Sequence, residues 1–425
     1  MSSQTALWDH PPSPLWSPVR WLIEPLHLGM AFPSILYLAT MTVFLFRPPD
    51  LYACNIDRIA FAALVFFVGL RTLALRQRIP FVAGVSLPML TLTALAVARV
   101  LREPFDAQMW SILASKFIVP FTLFHLAILV FRDIREYRHF EVFVLLALGY
   151  LIFTAIAFLA DARSLIFPSF ILDDSMGFHI DRARGPFLQA VANGVSLNLL
   201  GILALVVSGA RKRTLLLLWL ALPVAVLATL TRAVWIGFAI SSLAVSFYLR
   251  EHKWRIWLVL IVAGLLAGVW LGINGISLKN AISERTSERG PVDARVAVYQ
   301  AGWAMFKERP FTGWPAAGMY TELARRMEGY HLRSFYVHNS YLALLVEFGI
   351  PGFAFYVILF LNLFRLARRK VEDEPEPIRS LRRVWPILIA VYLFNAFFVD
   401  MAYQFVIGLL FTVAGLLCAA REESA

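Results

Sequence analysis

The chain has 425 residues, of which 60% are hydrophobic and 14% aromatic, and its mean hydropathy is +0.70. This composition excludes an ordinary soluble protein of two or three domains, because soluble domains carry far more polar surface. The formal net charge of +11 is spread over short connections between apolar runs. Positive-inside topology and anionic membrane lipids explain this charge better than nucleic acid does, so no nucleic-acid partner is expected.

Twelve apolar runs are long enough to cross the hydrocarbon core of a bilayer, which takes about 20 helical residues. The runs are continuous rather than alternating, so they predict helices and not the strands of a barrel. The predicted spans lie at 28–46, 59–75, 80–98, 110–131, 140–160, 186–208, 214–230, 233–249, 254–273, 340–364, 384–400 and 403–420. The predicted fold class is therefore an all-α polytopic membrane protein with about twelve transmembrane helices.

Basic residues predict how these spans are oriented. The connection at 365–383 holds seven basic residues, whereas the short connections on the opposite side of the membrane hold one to three each. The positive-inside rule then makes this connection and the N-terminus cytoplasmic. The chain divides into a cytoplasmic or interfacial N-terminus at 1–27, spans one to nine at 28–273 with a short outer loop at 161–185, a large outer loop at 274–337, and the last three spans with a cytoplasmic tail at 338–425.

The large outer loop far exceeds the usual connection of a few residues, which predicts a functional segment. Apolar residues recur at helical spacing from Val292 to Phe306, so an amphipathic helix is expected there. Pro310 then ends it, because proline cannot continue the hydrogen-bond ladder. Basic residues of this loop that suit phosphorylated lipid head groups are Arg295, Lys307, Arg309, Arg325, Arg326 and Arg333.

Polar groups precede three spans that run inward from the outer surface. Arg182 and Arg184 come just before Pro186, which would begin the sixth span at its first helical position. Arg232 is the only charged residue in the 36 positions from 214 to 249, and Thr231 beside it is a candidate N-cap for the eighth span.

His338 stands ahead of the tenth span, with Asn339 and Ser340 as candidate caps. The N-termini of all three spans, with their unpaired N–H groups, then lie at the outer surface beside these side chains. Guanidinium groups bind phosphate oxygens and keep their charge. The arrangement therefore predicts an anionic ligand, and a lipid diphosphate fits best because its hydrocarbon tail can lie along the spans.

Each of these side chains also has a simpler interpretation. Arg232 could snorkel to the interface, the arginine pair could serve only ion pairs with Asp174 or Asp181, and His338 could be a packed polar residue. No carboxylate pair at ligand-like spacing accompanies the histidine, so no metal is expected. The aspartates of the 161–185 loop, Asp173, Asp174 and Asp181, leave a metal site as an alternative.

Two ionisable residues lie within predicted spans. At ~1.5 Å rise per residue, Lys116 and Glu347 each lie roughly 10 Å below the outer surface. Ionisable groups inside a membrane need a partner or a cavity. We therefore expect the two to pair, with their charged ends less than about 8 Å apart and a structural role.

Five motifs occur in an order that resembles the O-antigen ligase superfamily, which includes O-antigen ligases, O-antigen polymerases and protein O-oligosaccharyltransferases. They are Arg182-Ala183-Arg184-Gly185-Pro186-Phe187, Thr231-Arg232-Ala233, Arg309-Pro310-Phe311-Thr312-Gly313, His338-Asn339-Ser340-Tyr341-Leu342 and Glu347-Phe348-Gly349-Ile350-Pro351-Gly352. The resemblance implies a GT-C-like glycosyltransferase of the bacterial inner membrane with a large, partly helical periplasmic loop. It also implies a donor glycan linked to undecaprenyl diphosphate, and no metal or other cofactor.

The resemblance assigns roles to particular residues. His338 would be the catalytic base, acting together with Arg184 and Arg232, and the arginines would hold the diphosphate with Arg182. The remaining substrate-binding candidates are Arg295, Tyr336 and Asn339.

The expected reaction is metal-independent and inverting, and it transfers O-antigen polysaccharide from undecaprenyl diphosphate to the lipid A–core oligosaccharide at the periplasmic face. The expected partners are this donor, this acceptor and membrane lipids. O-antigen polymerase and protein O-oligosaccharyltransferase, which use the same donor, remain alternatives. A lipid-linked sugar transporter is the alternative from a different class.

Overall fold

The computed structural model describes residues 32–46, 55–177, 180–207, 212–248, 290–327, 335–368 and 374–419. Over these residues the secondary structure is helical, without a strand. The helices are α1 Pro33–Phe46, α2 Ile56–Ala74, α3 Ala83–Val100, α4 Ala107–Val130, α5 Ile134–Leu159, α6 Ala190–Ala204, α7 Lys212–Ala228, α8 Arg232–Tyr248, α9 Gly290–Glu308, α10 Met319–Arg325, α11 Ser340–Arg365, α12 Glu376–Ala396 and α13 Gln404–Ala419.

Eleven of the twelve predicted spans each overlap one of these helices. The remaining span, the ninth in chain order at 254–273, lies outside the described residues, as does the N-terminal segment at 1–27. Four of the described helices, α3, α4, α5 and α11, are long and apolar enough to cross a membrane, and α1, α6, α7, α8 and α13 are shorter apolar helices. The all-α class is thus confirmed for the described part, while the count of twelve crossings and the GT-C-like architecture stay predictions.

The centre of the bundle is formed by α1, α4 and α13. Gly415 in α13 lets the helices approach so closely that an added Cβ would lie 2.6 Å from the Cβ of Ala127 in α4. The Tyr37 hydroxyl of α1 donates to the Leu123 carbonyl at 3.1 Å and is paired with the Thr412 hydroxyl at 2.7 Å. These contacts fix the three helices at short range, because small residues allow close packing inside membranes.

Helices α6 and α8 run parallel. Gly194 near the start of α6 faces Val234 near the start of α8, with only 2.4 Å between an added Cβ and the valine side chain. Further along, the Ser241 hydroxyl of α8 donates to the Asn198 carboxamide of α6 at 2.9 Å. Both helices therefore begin at the same end of the bundle.

Helix α11 begins at this end as well, because α12 runs antiparallel to both α8 and α11. The Tyr341 hydroxyl at the start of α11 donates to the Leu393 carbonyl near the end of α12 at 2.7 Å. Gly237 near the start of α8 faces α12, with 3.2 Å between an added Cβ and the Asn395 side-chain nitrogen. All three helix starts therefore lie at the same end of the bundle, which we call the upper end.

The start of the sixth span differs from the prediction. Pro186 lies in a separate 3-10 turn, Gly185–Phe187, and Leu188 follows in the left-handed region at φ 52°. This conformation turns the chain before α6 begins at Ala190. The predicted helix start at Pro186 is therefore wrong, because a left-handed residue cannot continue a right-handed helix.

A helix, α9, forms where one was predicted in the large loop, and its buried hydrophobic residues are Val298, Ala301 and Met305. Val296 and Trp303 of the predicted apolar face are 48% and 50% exposed.

The segment that follows α9 is inserted into α11. Pro351 has no N–H to offer the Glu347 carbonyl and its ring crowds that carbonyl, which breaks helices. At the break Gly349 adopts φ 65°, ψ −164°. The loop supplies the missing partners, because Ile350 N–H donates to the Pro310 carbonyl at 2.7 Å and Trp314 N–H donates to the Val346 carbonyl at 2.8 Å.

In an unbroken helix the Val346 carbonyl and the Ile350 amide would bond to each other. Here each bonds to the loop instead, so the segment 310–314 replaces one internal hydrogen bond of α11 with two external ones. The large loop is thereby joined to the bundle through backbone groups.

Substitution of Gly349 tests this junction. Gly349→Ala places a Cβ 2.5 Å from the Pro310 carbonyl oxygen, whereas Gly318, left-handed at φ 75°, has no atom within 4 Å of an added Cβ. Gly318→Ala meets the left-handed penalty of about 1–2 kcal/mol. Gly349→Ala enters a region of φ and ψ open essentially only to glycine, which costs about 1–3 kcal/mol, and adds a steric clash. We expect Gly349→Ala to lower the thermal unfolding temperature of the detergent-solubilised protein well below that of Gly318→Ala. Equal melting temperatures would contradict the inserted segment.

Candidate active site

His338 lies at the upper end in the extended segment that leads into α11. Its ring is half-buried and packs edge-on against Phe335 at a centroid distance of 5.2 Å. Its carbonyl accepts a hydrogen bond from the Tyr299 hydroxyl of α9 at 3.3 Å. The histidine is thus held between the large loop and the bundle.

Asn339 caps α11 as predicted. Its side-chain oxygen accepts from the N–H groups of Tyr341 at 2.9 Å and Leu342 at 3.1 Å, which satisfies two of the free donors at the helix start. The geometry gives Asn339 a structural task, and its contact with a substrate stays a prediction.

The surroundings of His338 favour the neutral imidazole. Burial lowers the pKa of His338, and the positive charge of Arg295 lowers this pKa further, while the Asp400 carboxylate acts in the opposite direction. The net result is a pKa below the ordinary value, so the ring is uncharged near pH 7. A neutral imidazole can accept a proton from a substrate hydroxyl.

Asp400, which was not predicted as a site residue, lies in the turn between α12 and α13, and its charge acts on the ionisation of His338. The Ser340 hydroxyl accepts from Met401 N–H at 2.8 Å and donates to the Val399 carbonyl at 3.1 Å, which holds this turn against the start of α11. One carboxylate oxygen of Asp400 lies 3.5 Å from the same hydroxyl. The available signal was an acidic residue in the short connection between two predicted spans.

The predicted pair of Lys116 and Glu347 is confirmed. The Lys116 ammonium lies 3.2 Å from Oε1 of Glu347 and also 2.9 Å from Oδ2 of Asp400. Arg99 of α3 approaches the other oxygen of Glu347 at 4.0 Å. These four residues form a network that we call the charge cluster, and it extends from the break in α11 to the turn beside His338.

Arg184 occupies a different environment from the one expected. Its side chain is 1% exposed, and its three nitrogens donate to the carbonyls of Ile171 at 2.9 Å, Asp173 at 2.5 Å and Met176 at 2.5 Å. The guanidinium of Arg184 therefore folds the 161–185 loop, while its expected diphosphate contact and catalytic role stay predictions.

Arg182 and Arg232 are brought into neighbouring positions. Ala183 N–H, next to Arg182, donates to the Ala228 carbonyl at 3.0 Å, just before the turn that leads to Arg232. Arg182 is mostly buried, and its Nε lies 3.7 Å from the Asp181 carboxylate. Arg232 is the half-buried first residue of α8.

The cap expected from Thr231 takes a different form. Its hydroxyl donates to the Thr229 carbonyl at 2.8 Å, while its own carbonyl accepts from Trp235 N–H at 3.0 Å. The Thr231 hydroxyl acts as a donor here, so this hydrogen bond stabilises the turn before α8.

A polar bridge connects the arginine segment with the Asp400 turn. Gln189, the residue before α6, acts on the ionisation of Tyr403, as the Asp400 charge also does. The Oε1 atom of Gln189 is buried and has no hydrogen-bond partner among the described residues. The start of α6 and the surroundings of His338 are thus parts of one polar region at the upper end.

Arg295 and Tyr336 lie at the outer rim of this region. Arg295 is exposed on α9, close enough to act on the ionisation of both His338 and Tyr299. Tyr336 is 45% exposed, and its ring lies 4.5 Å from that of Tyr320. The role of both residues in substrate binding stays a prediction.

Several basic residues of the large loop have partners within the loop itself. Arg326 forms ion pairs with Glu308 at 2.5 Å and Glu322 at 2.7 Å. Arg325 pairs with Glu322 at 2.7 Å, and the Arg309 guanidinium lies 4.7 Å from the Trp314 ring. These contacts fold the loop, so the exposed charge of Arg295 carries more weight for ligand binding than the basic composition as a whole.

The described residues include no group of three or more His, Cys, Asp or Glu side chains close enough to hold a metal ion. The aspartates of the 161–185 loop, which the sequence offered as an alternative metal site, include one that bonds within the loop. Asp173, for example, accepts from the hydroxyl and the N–H of Ser175 at 2.6 Å and 2.9 Å. This arrangement stabilises the loop that Arg184 folds.

A helical membrane protein with a neutral histidine, arginines and three helix starts at one end has the parts of an enzyme for anionic, lipid-linked substrates. Residues 214–357 match the family model described as O-antigen ligase, which confirms the resemblance of the chain to the O-antigen ligase superfamily of ligase- and polymerase-type membrane enzymes. The matched stretch contains Arg232, Arg295, Tyr336, His338 and Asn339, whereas Arg182 and Arg184 precede it. No curated protein matches the chain.

The two arginines of the 161–185 loop offer a matched test of structure against ligand binding. A lysine cannot serve three carbonyls at once, so Arg184→Lys should lose charge-assisted hydrogen bonds worth about 1.5–3 kcal/mol each. We expect this variant to unfold at lower temperature and to be cut faster by protease in the loop. Arg182→Lys, which keeps the charge next to Asp181, should retain normal stability. An Arg184→Lys variant with unchanged melting and proteolysis would remove the structural role.

The pH dependence of activity tests the surroundings of His338. A histidine that accepts a proton is active when neutral, so the reaction rate falls as pH drops through its pKa. Because Arg295 lowers the pKa of His338, Arg295→Gln should move the acid limb of the kcat/KM profile to higher pH. Arg295→Lys keeps the charge and should leave the limb in place. A limb that stays fixed in Arg295→Gln would show that another group titrates.

Proposed function

We propose that the protein is a metal-independent, inverting glycosyltransferase of the bacterial inner membrane. It transfers O-antigen polysaccharide from undecaprenyl diphosphate to the lipid A–core oligosaccharide at the periplasmic face. The observation that carries the proposal is the position of His338 just before α11, under the influence of the Asp400 charge, at the end of the bundle where α6 and α8 also begin. The family match over residues 214–357 supports a lipid-linked glycan as substrate.

The reaction is a single displacement at the anomeric carbon of the donor. An acceptor hydroxyl attacks this carbon while its proton passes to an imidazole nitrogen of His338. The bond between the anomeric carbon and the diphosphate oxygen breaks, and undecaprenyl diphosphate leaves with the bonding electrons. Attack from the face opposite the leaving group inverts the configuration. The Asp400 carboxylate stabilises the imidazolium that forms, since it favours the charged state of His338.

Negative charge accumulates on the leaving diphosphate. Arg232 stands at the first residue of α8, where its guanidinium adds to the partial positive charge of the helix start. Arg182 lies on the segment hydrogen-bonded to the chain before this turn. These fixed charges need no rearrangement when the bond breaks, and this is the most effective kind of transition-state stabilisation.

An open groove beside His338 supports a lipid acceptor. The groove has a volume of about 500 Å³, lies between α9 and the start of α11 next to Asn339, and has Val296 and Trp303 among its apolar walls. Arg295 is adjacent on α9 and exposed. An apolar groove with a cation at its edge suits an amphiphile with a phosphorylated head group.

We expect variants to separate binding from chemistry in purified protein supplied with donor and acceptor in detergent. His338→Ala removes the proton acceptor, which is worth about 10²–10⁴-fold in rate, and should leave donor binding largely intact. Arg232→Ala should weaken donor binding and transfer together, whereas Arg163→Ala, a 66% exposed arginine of the 161–185 loop, should do neither. Full activity in His338→Ala would exclude the histidine from the mechanism.

The same purified system tests the wider assignment. Transfer in detergent, without a membrane gradient, excludes a transporter, and transfer that persists in EDTA excludes a required divalent metal ion. A rate lost in EDTA and restored by a divalent ion would overturn the metal-independent reaction.

O-antigen polymerase is the main alternative within the superfamily, because it uses the same donor with a second lipid-linked glycan as acceptor. Lipopolysaccharide from a deletion strain separates the two. Loss of a ligase leaves long polymer on its lipid carrier, whereas loss of a polymerase leaves core capped with a single repeat. Unchanged lipopolysaccharide with loss of protein-linked glycan would instead identify a protein O-oligosaccharyltransferase.

A further inference from the structure

Lys116 of α4 bridges two carboxylates that belong to different parts of the molecule. Its ammonium lies 2.9 Å from Asp400 and 3.2 Å from Glu347, and its side chain is 10% exposed. It sits within a π-helical turn, Ala114–Ile118, inside an otherwise α-helical span. Such turns are rare and occur frequently at functional sites.

Each carboxylate leads to a different neighbourhood. Asp400 lies 3.5 Å from the Ser340 hydroxyl at the start of α11, and its charge acts on the ionisation of His338. Glu347 lies at the break in α11, where its carbonyl is in contact with Gly313 of the inserted segment. A single cation therefore joins the turn beside the histidine to the junction between loop and bundle.

Arg99 strengthens the second connection. Its guanidinium donates to the Trp314 carbonyl at 2.8 Å and to the Pro315 carbonyl at 3.3 Å, while it lies 4.0 Å from Glu347. If residues 310–315 moved away from α11, Arg99 would lose its two carbonyl acceptors and Glu347 would lose its contact with Gly313. The Lys116 ammonium would then be held by Asp400 alone.

The position of Lys116 between Glu347 and Asp400 is not needed merely to neutralise a buried carboxylate. Glu347 and Arg99 already offset each other, and the Asp400 side chain is 23% exposed and can be solvated in part. Placing an ammonium between the two carboxylates does something more specific, because it restricts where the Asp400 carboxylate can point. An error of 1 Å in a supporting group can lower a rate about a hundredfold.

We propose that Lys116 is a positioning residue for glycosyl transfer, which holds the Asp400 carboxylate towards His338 and couples it, through Glu347, to the seating of residues 310–315 on α11. The inference rests on the proposed function for its kinetic consequences. Its structural part concerns the resting protein and is measurable without any substrate.

Kinetics on purified variants test the catalytic part. Lys116→Met keeps the length of the side chain and removes the charge, and we expect kcat to fall about a hundredfold with little change in the KM for the donor. If Lys116 acts through Asp400, the double variant Lys116→Met/Asp400→Asn should be no slower than Asp400→Asn alone. A double variant that is much slower than Asp400→Asn would overturn the proposal, since Lys116 would then act by another route. This comparison holds even where the single lysine variant fails to fold.

The matched control is the buried ion pair of Arg382 and Glu374 at the opposite end of α12. Both side chains are less than 10% exposed, and Arg382 also donates to the Leu417 carbonyl at 3.1 Å. Arg382→Met should lower the melting temperature and leave kcat of the folded protein unchanged. An equal loss of kcat in Arg382→Met would reduce the role of Lys116 to general stability and overturn the proposal.

Titration of labelled His338 by NMR tests the structural part. The charges of Arg295 and Asp400 act on the His338 ring. Lys116→Met releases the Asp400 carboxylate, which then no longer raises the pKa of His338, so this pKa should fall. Removal of a positive charge with Asp400 still in place would raise it. A rise in the pKa of His338 therefore contradicts the positioning role of Lys116, even if the protein transfers no glycan. A fall in this pKa, together with a wild-type protein that transfers no glycan, would overturn only the proposed function.

Discussion

The exchange of backbone hydrogen bonds at the break in α11 is the constraint on which the upper end depends. A helix inside a membrane must satisfy its own N–H and C=O groups, because each free group costs several kcal/mol there. Here the Val346 carbonyl and the Ile350 amide are satisfied by Trp314 and Pro310 of the loop. The loop and α11 are consequently one structural unit, and Glu347 at the break is fixed relative to both.

The site combines opposite electrostatic demands within a small region. A proton acceptor must stay neutral until it reacts, and burial and Arg295 achieve this for His338. In the proposed reaction, the imidazolium formed later needs an anion, which Asp400 would supply. The proposed role of the arginines is to hold the leaving group, and Arg232 stands at the start of α8. Separation of these charges by rigid helix ends allows each to act without cancelling the other.

The sequence predicted the features that depend on local pattern. Apolar runs located the helices, and residue counting along a helix placed Lys116 and Glu347 at one depth, which the 3.2 Å contact confirms. Features that depend on tertiary contacts escaped. An arginine serves a phosphate or a set of carbonyls equally well, so the buried clamp of Arg184 could not be told from a ligand contact. Asp400 became visible as a site residue only when its turn was seen against Ser340 and His338.

The inserted segment also sets an order for biosynthesis. Residues 310–314 leave the ribosome before α11, so the partners for its break exist before Val346 and Ile350 are made. Pro351 prevents the nascent helix from closing over the gap on its own. The broken helix α11 can therefore reach its final hydrogen-bonded form only once residues 310–314 are in place beside it.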